Sequence, residues 1–306
     1  MTIRIAIPDM VSPSYFPAIA AVELGFMEEQ GLDASIELLG PVTATYEALR
    51  DGQIAYAGGA AHAPLYAFKD WHGCRLLCAL SQNMYWFLVL RADIAAEKGD
   101  LTALRGLRIG AALGPVDGLT RMLRDVGLDP EKDVQIGRVP GAVGTKASFG
   151  IMAAEALAEG RLDGFWANGM GCEVAVKSGV GKLILDARRG DGTPGSVDYT
   201  FPALVATQAR VEKHPEEAAS VTRAIVAAQV ALKHEPTLAT LAAKIHFPEA
   251  ETAMIVELVR RDTPFYDASI SRAKLDALNA FSREMGLLSV APAYEDLVPA
   301  ICREVW

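Results

Sequence analysis

Nowhere in the 306 residues is there a run of about twenty apolar side chains, the length a membrane-spanning helix needs. The stretches around Trp86–Leu90 and Ala224–Leu232 are too short, so no membrane insertion is expected. Basic charge is scarce as well. Lys and Arg total 29 against 38 Asp and Glu, the formal net charge is -9, and no basic cluster occurs. That excludes nucleic acid or an anionic membrane as the main partner. Cysteine is down to Cys74, Cys78, Cys172 and Cys302, which fits a reducing compartment better than a disulfide scaffold. Cys74 and Cys78 fall in one expected strand, on the same face. Four residues of strand would hold them about 13 Å apart, beyond disulfide reach, so both read as small buried hydrophobes.

Catalytic signatures are missing too. No phosphate loop, no G-x-G-x-x-G after a strand, no H-E-x-x-H, no paired C-x-x-C and no G-x-S-x-G elbow occurs. His62, His72, His214, His234 and His246 are scattered, so neither a metal nor a cofactor is expected. Glu28-Glu29 and Glu216-Glu217 read as solvated helix faces rather than acid/base pairs. No leader pattern precedes Thr2–Ile7, which reads at once as a buried strand. The expected compartment is the cytoplasm, or the periplasm had a leader been removed.

Against these absences stands a hydrophobic content of 51%, enough for substantial cores. A β-α-β-α-β pattern also occurs twice. Ile3–Ile7 is a strand, a helix through Phe16, Ile19 and Val22 stops at Gly25, and a strand follows at residues 34–39. A helix near residues 45–50 then ends at Gly52 before a strand at residues 54–57. From Gly106 the order returns: a strand at residues 107–110, a helix through Leu119 and Met122 to Gly127, and a strand at residues 134–139. Ala156-Leu157-Ala158-Glu159-Gly160 before the strand 162–166 echoes Ala48-Leu49-Arg50-Asp51-Gly52.

Right-handed crossovers then give two mostly parallel sheets flanked by helices, and ligands in such sheets sit beyond the carboxyl ends of the strands. The expected lobes are residues 1–86 with 200–306, and residues 87–199, with a ligand cleft between them. Crossings are expected near residues 87–91 and 195–201. The alternative is one larger doubly wound sheet. Helices are expected over residues 211–233 with a break at Pro215, and over 249–261, 271–285 and 294–304.

On four segments the chain resembles the type II periplasmic binding proteins, in the branch of sulfonate, nitrate and thiamine-pyrimidine binders and thiamine-pyrimidine synthases. They are Glu23-Leu24-Gly25-Phe26-Met27 through Asp33, Ala48 through Gly58, Leu104-Arg105-Gly106-Leu107-Arg108-Ile109-Gly110, and Ala280-Phe281-Ser282-Arg283-Glu284-Met285-Gly286-Leu287-Leu288. The resemblance implies the two-lobed α/β fold, and a cleft lined by the loops after corresponding strands. The ligand-binding candidates it gives in the first lobe are Asp9, Ser14, Tyr15, Gly59, His62, Gln82, Asn83, Tyr85 and Trp86. In the second they are Gly114, Asp117, Gly118, Thr145, Ser148, Trp166, Asn168 and Tyr199. Several precede helices, whose free N–H groups favour a carboxylate or sulfonate. Tyr15, Tyr85, Trp86 and Trp166 offer flat apolar surface for a ring, or simply fill the core.

His62 is also the catalytic candidate, because the similar loop of the pyrimidine synthases carries a histidine with a chemical role. Their cysteine-rich segment is absent here: residues 200–207 read Thr-Phe-Pro-Ala-Leu-Val-Ala-Thr. The leading expectation is a solute-binding protein for a small anionic or aromatic molecule, with an ABC transporter permease as partner, and itself a monomer or weak dimer. The alternatives are a cytosolic decarboxylase- or lyase-type enzyme on the same scaffold, and the effector lobes of a regulator. The last lacks a helix-turn-helix before the first strand.

Overall fold

The computed structural model describes residues 2–140 and 149–306. The chain divides into two compact units, Met1–Gln82 with Thr200–Trp306, and Asn83–Tyr199. Each has its own five-stranded sheet, so the single doubly wound sheet is excluded.

In the first unit the strands are β1 (Ile3–Ile7), β2 (Ala34–Leu38), β3 (Tyr56–Ala60), β4 (Cys74–Ala79) and, from the far end of the chain, β10 (Pro202–Thr207). Their order is β2-β1-β3-β10-β4, with β1 parallel to β2 and β3, and β10 antiparallel to β3 and β4. In the second unit they are β5 (Phe87–Arg91), β6 (Arg108–Ala111), β7 (Gln135–Gly137), β8 (Gly164–Ala167) and β9 (Gly181–Asp186). Here the order is β7-β6-β8-β5-β9, again with the fourth strand antiparallel.

The helices between parallel strands end where the sequence places glycine. The Val42–Arg50 helix stops at Gly52 (φ 71) and the Phe149–Ala158 helix at Gly160 (φ 69), a backbone region that costs a side chain but not glycine. Just beyond, Gln53 N donates to Ala48 O and Arg161 N to Ala156 O, both at 2.9 Å. The echo between the two sequences is thus an echo of one capping geometry.

Four expectations are corrected. The third strand runs to Ala60, so Gly58 and Gly59 lie within it rather than after it. The division of the chain falls after Gln82, because Met84 N bonds Val197 O at 2.8 Å and β5 begins at once. The last helix splits at Pro299 into Tyr294–Leu297 and Ala300–Arg303, since proline cannot donate within a helix. Cys74 and Cys78 do not share a face. Leu204 pairs with Cys78 and Val205 with Leu76, so Leu77 is an extra residue that flips the alternation. Cys74 then lies toward Tyr46 and Cys78 toward Cys302, and all four cysteines are buried and free. A helix missed from sequence, Ala239–His246, leaves Leu241 and Ile245 exposed, so its apolar pattern is weak.

Candidate functional site

The loops that follow the parallel strands carry most of the candidates, and each unit is described in turn. After β1, Asp9 Oδ1 accepts from Val11 N at 3.1 Å and shapes the turn. Ser12, only 2% exposed, holds the N-cap position of the turn Pro13–Tyr15, yet its side chain makes no capping bond. Its buried Oγ has no hydrogen-bond partner among the described residues, which is costly unless a ligand or water supplies one. Ser14 Oγ donates to Asp262 Oδ2 at 3.1 Å, and Tyr266 OH donates to Pro13 O at 2.7 Å. The loop is thereby fixed from behind, and Tyr15 is buried in it.

After β3, Ala61 N donates to Phe201 O and His62 follows, with no exposed surface. His62 Nδ1 and Thr200 Oγ1 share a hydrogen bond at 3.0 Å, and the imidazole meets Phe281 edge-on at 5.4 Å. Gly59 lies inside β3, where a Cβ would come within 2.8 Å of Tyr46 OH, so close helix packing already requires glycine there. Gln82 serves the scaffold, its Nε2 donating to Asp267 O at 2.8 Å and Ser269 O at 2.9 Å.

In the second unit the candidates converge on an aromatic cluster. Tyr85 and Trp86 lie 4.6 Å apart between ring centroids, and Trp86 and Trp166 6.0 Å. All three are buried. Trp166 Nε1 donates to Pro115 O at 2.8 Å, tying the indole to the first residue of the helix Pro115–Asp125. Gly114 (φ 86) starts that helix, and Asp117 sits in its first turn, where a negative charge is favoured. A Cβ at Gly118 would meet Met84 Sδ at 2.7 Å, so glycine lets the helix approach the cluster. Asn83 has φ 69 and donates from Nδ2 to Arg188 O at 3.1 Å. Asn168 caps the helix Gly169–Lys177, its Oδ1 accepting from Gly171 N.

Tyr199 is not brought to this group. Its hydroxyl donates to Asp125 Oδ2 at 2.6 Å, at the opposite end of the Pro115–Asp125 helix. Eleven residues of helix span about 16 Å. Thr145 and Ser148 lie outside the described residues.

Two residues escaped sequence reasoning. Ser12 was hidden because a serine before proline is ordinary turn chemistry. Arg188, 4% exposed, lies over the Phe87 ring at 5.7 Å. An Arg-Arg pair after a strand usually marks surface, and only burial distinguishes it. Beside it, burial pushes the Asp186 carboxyl up, against the lowering effect of Arg188 and Arg189. Burial likewise pushes the Cys74 and Cys78 thiols up, away from thiolate chemistry. Among the described residues no group of three or more His, Cys, Asp or Glu could hold a metal.

Comparison with solved structures follows the two-sheet topology over nearly the whole chain. The alkanesulfonate-binding protein SsuA of Xanthomonas axonopodis pv. citri, bound to MOPS, is similar with a TM-score of 0.72 at 15% identity, over 94% of each chain. The fold is that of the periplasmic binding proteins. The periplasmic nitrate-binding protein NrtA of Synechocystis PCC 6803 is similar at 0.69 and 15% identity, over 99% of this chain and 84% of that one. The desulfurization enzyme DszB, as a cysteine-to-serine mutant with biphenyl-2-sulfinic acid, is similar at 0.67 and 17%, over 99% and 98%. No family model matches the chain, and no curated protein matches it. Among the described residues no helix is long and apolar enough to cross a membrane.

Proposed function

We propose that the chain is a solute-binding protein that takes one small organic anion with an aromatic or heterocyclic body, and delivers it to an ABC-type importer. The observation that carries this reading is the buried group of Tyr85, Trp86 and Trp166, in a unit that also buries the cation Arg188. Aromatic faces hold a ring by stacking, and a guanidinium holds a carboxylate or sulfonate by charge-assisted hydrogen bonds. In the other unit, buried Ser12 and His62 are the polar groups of the corresponding strand-end loops. The similarity to sulfonate- and nitrate-binding proteins supports the same reading.

The test is a thermal-shift screen of aryl sulfonates, aromatic carboxylates and pyrimidines. A ligand at a hundred times its dissociation constant stabilises the folded form by about 2.7 kcal/mol, raising the melting temperature by about 4–10 °C. Trp86→Ala and Arg188→Gln should both abolish the shift. A confirmed ligand whose binding neither substitution changes overturns the reading.

A second reading, an enzyme on this scaffold, is favoured by the buried His62–Thr200 pair and by the similarity to DszB. Histidine suits proton transfer near neutral pH. As a contact residue, His62→Asn should weaken binding by about 0.5–1.5 kcal/mol, up to about 3 for a charged ligand, with the ligand's mass unchanged in both proteins. Turnover by the wild type that falls about 10²–10⁴-fold in the variant would make the protein an enzyme.

A further inference from the structure

The first unit also has a cavity of about 380 Å³, walled by one face of the helix Pro215–His234, the segment 266–269, and Arg303 and Trp306. It lies behind the strand-end loops. The segment 266–269 separates the two, held on one side by Tyr266 OH to Pro13 O and by the Gln82 amide. The volume lies within the range of small-ligand pockets.

Val226, Gln229, Val230 and Lys233 recur at helical spacing, which brings one turn after another to the same wall. Gln229 is buried and donates from Nε2 to Ala79 O at 2.9 Å and Leu80 O at 3.0 Å, which fixes that wall to the end of β4. Opposite it the Trp306 indole is held by Nε1 donating to Leu77 O at 3.2 Å.

The charges there are unbalanced. Lys233 Nζ donates only to Tyr266 O at 3.1 Å, and the Arg303 guanidinium lies over the Tyr294 ring at 5.4 Å. Neither cation pairs with a carboxylate among the described residues, and buried Arg303 Nε has no hydrogen-bond partner. The one acid on the wall, exposed Asp267, accepts from Ser269 N at 2.9 Å. Two cations beside apolar surface, against one acid, attract an anion that can also cover that surface.

We propose that this cavity is a second binding site, for a small organic carboxylate with an apolar body. The carboxylate meets Lys233 and Arg303, and the body lies against Val226, Val230 and Trp306. Biosynthetic 5-fluorotryptophan reports on it, because the four tryptophans include Trp306 here and Trp86 and Trp166 at the other site. Trp306→Phe assigns its fluorine resonance, and sodium benzoate is the probe.

A saturable shift of the Trp306 resonance is expected, with a dissociation constant raised about tenfold or more in Lys233→Gln and Arg303→Gln. Val230→Glu, at a position 61% exposed and therefore safe for folding, should remove the shift. No saturable shift at Trp306, or equal affinity in the three variants, overturns the proposal. A response confined to Trp86 and Trp166 also overturns it, while leaving the strand-end site standing.

Discussion

The third strands of the two sheets solve one packing problem in opposite ways. Register aligns Ile5 with Ile109 and Tyr56 with Gly164, so Ile7 corresponds to Ala111 and Gly58 to Trp166. At this last pair the first sheet is large on β1 and small on β3, and a Cβ at Gly58 would lie 2.9 Å from Ile7 Cγ2. The second is small on β6 and large on β8, where Trp166 has no exposed surface. The bulky residue of this pair thus sits on β1 in one sheet and on β8 in the other. The consequence is chemical: glycine leaves polar loop groups in charge of the first strand end, and an indole takes over the second.

Charge differs in a parallel way. Ala55 N donates to Arg4 O and Asp163 N to Arg108 O, both at 2.9 Å, so the backbones match. Beside alanine, Arg4 reaches Glu37 only at 3.5 Å. Asp163 instead accepts from Arg108 Nε at 2.9 Å and from Arg91 at 3.1 Å, joining three strands of the second sheet.

Removing the indole should have the largest effect. Trp166→Ala is expected to cost about 3–5 kcal/mol in urea unfolding, since it empties a closed core. A loss below about 1 kcal/mol would mean that Trp166 is not the filler of the second sheet. Gly58→Ala should cost about 1–3 kcal/mol by overpacking. Ile7→Ala removes the Cγ2 it collides with, so the double mutant should recover about 0.5–3 kcal/mol relative to additivity. Strict additivity would break the claim that volume is traded between β1 and β3.

The smallest effect concerns pH. The Arg108 side chain, bonded to Asp163, holds its carboxyl down to about 2. A depressed value contributes stability above the unfolded value near 4, and that contribution is lost as pH falls toward 2. Asp163→Asn should therefore cost about 1–2 kcal/mol at pH 7 and only a small part of that by pH 2, Arg108 being half in solvent. An equal loss at both pH values would assign the effect to packing instead.

The repeated unit was legible because its signals are local: glycine stops, apolar periodicity and turn residues survive in a single sequence. The four-residue error at Trp86 arose because Phe87–Arg91 looks like a crossing only until its partners, β8 and β9, are known. The Leu77 bulge was invisible for the same reason, since it exists only against β10. At the candidate site, sequence order pointed to loops after strands but not to what each residue does within them. Gln82, Gly59 and Tyr199 have their groups committed to the scaffold. Ser12 and Arg188 became candidates only through burial, a tertiary property no spacing rule carries.

In both sheets the fourth strand comes from the stretch of chain that has just crossed over: β5 directly after Gln82, and β10 directly after Tyr199. On the ribosome this imposes a timetable. The second unit is continuous and can close as soon as β9 emerges. In the first, β3 and β4 wait for β10 to slot between them, roughly 6–25 s later at ordinary elongation rates of about 5–20 residues per second. Throughout that interval β4, with its buried thiols Cys74 and Cys78, has no strand beside it. The nascent protein is thus open to oxidation and mispairing in its oldest segment, which is still unpaired when the second unit is complete.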